Sequence, residues 1–198
     1  MTFLGRLLFV MAIAASAIGL GAWSAERVTA AFPGFVPIKA ESWRGYPGLA
    51  TSSADPYARA NLARTGKLAI GDTEGVEFTA IADSDGATLR AVCNYHVRGN
   101  VPANRLWTFR VEPTGPNDQY PSAKFSFQTS RLHARISDVD VDLNVGPSPA
   151  GFNWLPTTDI SDQPIMFVMA FYDSAVATTA SFTDLQMPKI QRLACADG

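Results

Sequence analysis

Between residues 88 and 98 the chain alternates between apolar and polar side chains. Leu89, Ala91, Cys93, Tyr95 and Val97 share one side, and Thr88, Arg90, Asn94, His96 and Arg98 the other, with Val92 the one apolar intruder. Successive side chains of a strand point to opposite faces, so this two-residue period predicts a sheet with one buried face. It also turns Cys93 inward. The flanking segments agree. Residues 76–82 predict the preceding strand, and Asp83-Ser84-Asp85-Gly86 a turn with glycine where φ must be positive. Residues 105–112 predict the next strand, with Trp107, Phe109 and Val111 on one face.

The same signals recur downstream. Residues 124–128 pair Phe125 with Phe127, and Val139, Val141, Leu143 and Val145 alternate with Asp140, Asp142 and Asn144. Residues 165–172 are almost wholly apolar, as in a central strand buried on both faces. Residues 181–185 read as a short regular segment and 188–195 as an extended tail. Residues 113–121 and 147–156 read as loops rich in proline and glycine. One soluble helix is expected. Asp55 caps it, Pro56 fits its first position, and Gly66 ends it in a left-handed conformation. At about ten residues it is marginal alone and must dock on something. Short strands split by turns predict a mainly β fold, an antiparallel, jelly-roll-like β-sandwich with one short helix.

The N-terminus is a different material. Arg6 precedes an uncharged, mostly apolar run from residue 7 to residue 25, and charge returns at Glu26 and Arg27. Its densest part, 7–23, is at the short end of the roughly 17–25 residues of a bilayer span and exceeds the about 7–15 of a signal-peptide apolar region. Trp23 suits a membrane interface. Residues 1–25 are therefore a signal anchor or a cleaved signal peptide, the anchor being preferred. Ala15-Ser16-Ala17 and Val28-Thr29-Ala30 are the small-residue stretches that bear on cleavage. Either way Arg6 stays inside and the body is exported. Residues 26–54, punctuated by proline and glycine, are expected as a linker that packs on the body through Trp43 and Tyr46. Residues 55–198 are expected as the β-sandwich domain.

Composition narrows the function classes. Hydrophobic content of 47% against 17% charged residues supports a real core and excludes disorder. Net charge is −2 with Lys and Arg scattered, so the basic stripe of a nucleic-acid binder is missing. An even pair of cysteines in an exported chain suggests a disulfide, here between Cys93 and Cys195. It would tie a tail that otherwise frays to a central strand and close about 100 residues, for which the chain-entropy model gives about 4–5 kcal/mol. The alternative is two separate buried thiols. A Cys-based metal site needs more ligands than two cysteines and two distant histidines supply, so no metal and no cofactor are expected.

A set of motifs then occurs in order. These are Asp55-Pro-Tyr-Ala-Arg-Ala60 with Ala63-Arg-Thr-Gly66, Glu74-Gly-Val-Glu-Phe78, Asp83-Ser-Asp-Gly86 and Cys93-Asn-Tyr95. Arg105-Leu-Trp-Thr108, Asn153-Trp-Leu-Pro156 and Pro188-Lys-Ile-Gln-Arg192 with Cys195 follow. In order and spacing the chain resembles the bacterial family catalogued as domain of unknown function 1214, in its short, membrane-anchored form. The resemblance runs from about Trp43 to Cys195. It implies a β-rich fold, supports the Cys93–Cys195 pairing and places the body in the bacterial envelope. The expected location is the inner membrane with the body in the periplasm, or the soluble periplasm after cleavage. It also implies a companion, domain of unknown function 1254, which precedes this domain in longer members and would be a separate protein here. It brings no catalytic residue.

Candidate chemistry is sparse. Asp138, Asp140 and Asp142 recur every second residue, so one strand would carry them on one face at about 6.5–7 Å. Such a row can hold Ca²⁺ with loop carbonyls, but it more often forms a solvated face. The turn at Asp83 begins like a calcium loop, yet Asn94 stands where the twelfth-position acid belongs. His96 and His133 are the only histidines. His96 next to Asn94 and Arg98 is conceivable as a base, with no nucleophile elbow to serve it, and an exposed or interfacial histidine is the commoner role. Asn153 and Trp154 follow a Gly- and Pro-rich loop and can hold a sugar or aromatic ligand, although such a unit more often fixes a turn and lids a core. Arg105 and Trp107 carry the same ambiguity. The weak ligand-binding candidates are thus His96, Arg98, Arg105, Asn153 and Trp154, and no catalytic residue is assigned. The expected role is a non-catalytic binding or partner module. The alternative is half of an enzyme or ligand site for an envelope glycan, lipid or small molecule.

Overall fold

Two sheets carry the fold, and the alternating stretch described above belongs to both. The computed structural model describes residues 3–31, 37–66, 68–71, 73–114, 127–134, 138–160, 162–174 and 185–195. A six-stranded antiparallel sheet is built from β1 (Ile38–Ala40), β2 (Trp43–Gly45), β3 (Gly75–Ala80), β9 (Ile165–Tyr172), β5 (Leu106–Pro113) and β6 (Phe127–Thr129), in that spatial order. A four-stranded sheet follows the order β10 (Lys189–Cys195), β4 (Cys93–Gly99), β7 (Val141–Gly146) and β8 (Trp154–Pro156).

The inward rows of the larger sheet are Val76, Phe171 and Trp107, then Phe78, Met169 and Phe109, then Ala80, Phe167 and Val111. The smaller sheet opposes them with Tyr95, Val97, Leu143, Val145 and Leu155, all buried. The Tyr95 ring meets Phe167 edge-on across the layers at 5.5 Å. Phe109 packs on Phe167 at 5.4 Å, and Trp43 edges onto Phe109 at 6.4 Å. Edge-to-face rings at these spacings add about 0.5–1.5 kcal/mol each beyond area burial. This is a β-sandwich closed by aromatic contacts.

The strand expected over residues 89–98 is regular only from Cys93. Upstream, Leu89 donates its N–H to Ile81 and accepts from Ile165, and Ala91 donates to Gln163, so residues 89–91 lie with the larger sheet. The chain then turns and enters the smaller sheet as β4. Leu89, Ala91, Cys93, Tyr95 and Val97 are all at most 2% exposed, so one alternating pattern faces one core from two layers. The phenol oxygen of Tyr95 accepts the Arg90 N–H at 2.8 Å and pins the crossing.

Val168 and Ala170 of β9 are fully buried although they point away from the sandwich core, as the apolar run predicts. Asp55 accepts from the N–H groups of Tyr57 and Ala58 at the start of α2 (Pro56–Thr65), and Gly66 closes it at φ 68°. Asp83 accepts from Asp85 and Ala87, and Gly86 takes φ 87°, so the 83–86 turn is held by its own side chain. Two expectations are corrected. β8 runs parallel to β7, so the smaller sheet is mixed rather than antiparallel. Residues 154–156, expected at the end of a loop, are that strand. The residues between β7 and β8 return the chain to the same end of the sheet, which leaves only a parallel approach. Phe125 and residues 181–184 lie outside the described residues.

Cys93 and Cys195 form a disulfide, directly across the β4–β10 pair. Trp43, within the stretch expected as a linker, is fully buried, and its strand pairs with β3. At the N-terminus, α1 (Phe3–Ala31) runs on through Glu26 and Arg27, past the end of the uncharged run. Its candidate span, Phe3–Val28, has 26 residues and contains an 18-residue window with a mean hydropathy of 2.1 and no burial against the body. At 1.5 Å per residue it is about 39 Å long, against about 30 Å of bilayer hydrocarbon, so it is long and apolar enough for a membrane span. A signal sequence meets the same description. Arg64 of α2 lies 3.6 Å from Glu26, which sets α2 beside the charged end of this span.

Burial raises the Tyr95 pKa above 10.0, outweighing the Arg90 N–H bond and the nearby Arg192 charge, which lower it. The neutral phenol therefore favours the folded state. Its contribution is complete below the unfolded pKa of about 10 and is lost as pH rises from there to the raised folded value. Denaturant unfolding of the oxidised protein between pH 8 and 11 should show stability falling above about pH 10, by up to about 1.4 kcal/mol per pH unit from this group. In Tyr95→Phe that component of the slope should vanish.

Candidate functional site

The outer face of the smaller sheet gathers most of the sequence-selected residues. Register places Lys189 beside Arg98 and Arg98 beside Asp142, and one row along it places Gln191, His96, Asn144 and Trp154. His96 Nε2 and Asp142 Oδ1 share a hydrogen bond at 2.8 Å, and Arg98 Nε lies 3.7 Å from Asp142 Oδ2. The Asp142 side chain is only 12% exposed and that of Arg98 51%, so the carboxylate is a covered hub with the guanidinium at its rim.

Asn153 and Trp154 are committed to the fold. Asn153 adopts φ 54°, a left-handed conformation that asparagine tolerates better than most residues. Its Oδ1 accepts from the Ala134 N–H, and its Nδ2 donates to the Ala134 and Asp142 carbonyls. The Trp154 indole donates to the Gly146 carbonyl at 3.1 Å. Arg105 stands apart, at the end of β5 in the other sheet. It lies 3.8 Å from Asp173 with both side chains about three-quarters exposed. An exposed pair of this kind contributes little. His133 is 9% exposed and its ring edges onto Trp107 of the larger sheet at 5.3 Å.

The three aspartates do not share one strand face. β7 begins at Val141, and Asp140 instead accepts the Val101 N–H. Among the described residues, no group of three or more His, Cys, Asp or Glu side chains is placed to hold a metal ion.

Two concavities stand out, and neither includes His96 or Trp154. An open groove of about 1120 Å³ runs between the β1–β2 hairpin, the 83–86 turn and β10, lined by Glu41, Arg44, Tyr46, Ile81 and Lys189 among others. A smaller cleft of about 300 Å³ lies on the outer face of the larger sheet, walled by Leu49, Leu62 of α2 and Ile70. Its floor carries charges that the alternation alone did not single out. Arg110 donates from Nε to Glu112 at 2.6 Å and from Nη2 to Glu77 at 2.8 Å. Burial pulls the Arg110 pKa down, but the two carboxylates outweigh it and the net direction is up. A sequence signal for this covered face existed in the unbroken apolar run of β9. Val168 and Ala170 required a cover on that side, and Glu77 and Arg110 are their register neighbours.

The family model described as protein of unknown function (DUF1214) matches residues 74–176. The chain belongs to that family. The match runs from the start of β3 past β9, a narrower stretch than the one carrying the motif resemblance. Among solved structures, the chain is similar to the VPA0106 protein from Vibrio parahaemolyticus, with a TM-score of 0.51 and 19% identity. That alignment covers 72% of this chain and 36% of the Vibrio protein, so the chain spans about a third of that relative's length. An uncharacterized protein from Burkholderia cenocepacia aligns with a TM-score of 0.38 and 15% identity over 76% of this chain and 47% of its own. No curated protein matches the chain. The Vibrio likeness concerns the fold of the DUF1214 chain alone.

Asn153→Ala removes three hydrogen bonds and puts a less tolerant residue at positive φ. It should cost about 1–3 kcal/mol in denaturant unfolding with an unchanged far-UV spectrum. A loss below about 0.5 kcal/mol would show that Asn153 does not hold this loop.

Proposed function

We propose that this DUF1214 chain is a membrane-tethered module of the bacterial envelope that binds a partner chain and is not itself catalytic. Its α1 stays in the inner membrane with Arg6 on the cytoplasmic side, and the sandwich stands in the periplasm. The disulfide suits that oxidising compartment.

The observation that supports this reading is an exposed basic pair, Arg98 and Lys189, side by side on the outer face of the smaller sheet. The proposed partner is a separate protein carrying the companion domain 1254, which the family resemblance implies. The polar face of the smaller sheet is the proposed contact. Arg98 and Lys189 are exposed neighbours there, and His96 and Asp142 brace the strand beneath them. Such a fixed polar patch supplies specificity at an interface and meets a carbonyl-rich or acidic segment.

The test is affinity capture of the tagged full-length chain from crosslinked cells of its own bacterium after detergent extraction. A companion chain should be recovered at near-equal amount. Arg98→Glu combined with Lys189→Glu should cut that recovery roughly tenfold while the disulfide and thermal stability persist. Recovery of the chain alone would sink the proposal.

A further inference from the structure

The long apolar helix ends beside α2, and that meeting point gives the body a membrane side. About 30 Å of hydrocarbon takes roughly 20 residues of helix, so a span entered near Arg6 leaves the apolar layer close to Glu26. Arg27 lies over the Trp23 ring at 5.2 Å, a cation on an amphipathic indole that suits the headgroup layer. Arg64 of α2 lies 3.6 Å from Glu26, so α2 reaches the same depth.

The side chains of α2 fit that depth. From Pro56 to Gly66 the chain carries Arg59 and Arg64 and no acidic residue. Both arginines are exposed, and with Arg27 they outnumber Glu26 and the capping Asp55. Apolar groups stand beside them in water. Tyr57 is 46% exposed, and Leu68, two residues beyond the left-handed Gly66, is 97% exposed. One exposed leucine is ordinary on any surface. A leucine, a tyrosine and two arginines on one short helix and its exit, at the end of a span, form the mixture that settles into an anionic headgroup layer.

The helix also sets which way the sandwich would face. Leu62 of α2 and Leu49 stand over Glu77, Thr79 and Arg110, so α2 lies on the outer face of the larger sheet. A bilayer on that side is opposite the outer face of the smaller sheet, where Arg98 and Lys189 are neighbours.

We propose that α2 and its exit through Leu68 dock on the anionic phospholipid headgroups of the leaflet from which α1 emerges. Arg59 and Arg27 meet lipid phosphates, Arg64 bridges to Glu26, and Leu68 enters the upper acyl layer. The larger sheet then faces the membrane and the smaller sheet faces away from it. This inference rests on the reading of α1 as a retained anchor and is independent of the partner reading.

The experiment reconstitutes the full-length, disulfide-bonded chain in nanodiscs of phosphatidylcholine, alone or mixed with phosphatidylglycerol. A nitroxide is attached in turn to Leu20→Cys, Leu68→Cys and Gln191→Cys. Electron paramagnetic resonance then compares its access to oxygen, which enters lipid, with its access to a water-soluble nickel chelate. The Leu20 label should read hydrocarbon and the Gln191 label bulk water in both lipids. In the anionic mixture the Leu68 label should read the headgroup layer, with nickel access at least roughly threefold below that of the Gln191 label. In phosphatidylcholine alone it should lie nearer to water. Arg59→Glu should bring its nickel access to within about twofold of the Gln191 label, with the Tm and the disulfide unchanged. A Leu20 label in water would remove the anchor and this proposal together. A Leu20 label in hydrocarbon with the Leu68 label in bulk water would overturn the docking alone. So would a shielded Leu68 label that is indifferent both to the lipid and to Arg59→Glu, because protein rather than headgroups would then cover it.

Discussion

The pairing of β10 with β4 is the constraint on which both layers depend. β10 is tied to the β1–β2 hairpin, the 83–88 stretch and β4, all laid down well before it. The Trp43 indole donates to the Pro188 carbonyl at 2.8 Å and brings in the β1–β2 hairpin. Ser84 exchanges bonds with Ile190, N–H to carbonyl in one direction and N–H to hydroxyl in the other. Arg192 donates to the Thr88 carbonyl and lies over the Tyr95 ring at 5.7 Å. Its Nε lies 3.1 Å from the buried Asp83 carboxylate, off the line of a directed N–H bond, so that contact is mainly electrostatic. Cys195 then closes covalently on Cys93. Each bond alone contributes about 0.5–1.5 kcal/mol, and the disulfide confines the alternatives of the unfolded chain.

This closure explains why the 83–86 turn is built as it is. Asp83 satisfies the turn's own N–H groups and faces Arg192, so the motif that begins like a calcium loop is a bracket between two strands. The switch of the chain from one sheet to the other occurs immediately after it. A strand that changes layers needs its backbone groups met at the crossing, and the Tyr95 hydroxyl and the Gln163 carbonyl meet them.

Local chemistry was legible where it acts within a few residues. Asp55, Gly66 and Gly86 announce their caps and turn, and the inward Cys93 announces its partner once export is granted. The two-residue period exposed the core face from Leu89 to Val97 but not the change of sheet, because both layers bury the same face. The parallel β7–β8 pair was hidden, since a three-residue strand carries no readable period. The candidate site was legible only in part. His96, Arg98 and Asn153 do converge on Asp142, whereas Trp154 turns its indole to Gly146 and Arg105 lies in the other sheet. The cover over Glu77, Arg110 and Glu112 depends on where α2 docks, a long-range fact that no local pattern encodes.

Hydrogen exchange on the intact, oxidised chain tests the role of β10 most directly. Amides of β10, β4 and residues 83–87 should exchange slowly and with one common opening free energy, and reduction of the disulfide should speed all three together. Rapid exchange of Ile190 and its β10 neighbours while β4 stays protected would contradict the account, because the C-terminal strand would then be an ornament on a fold closed by other means.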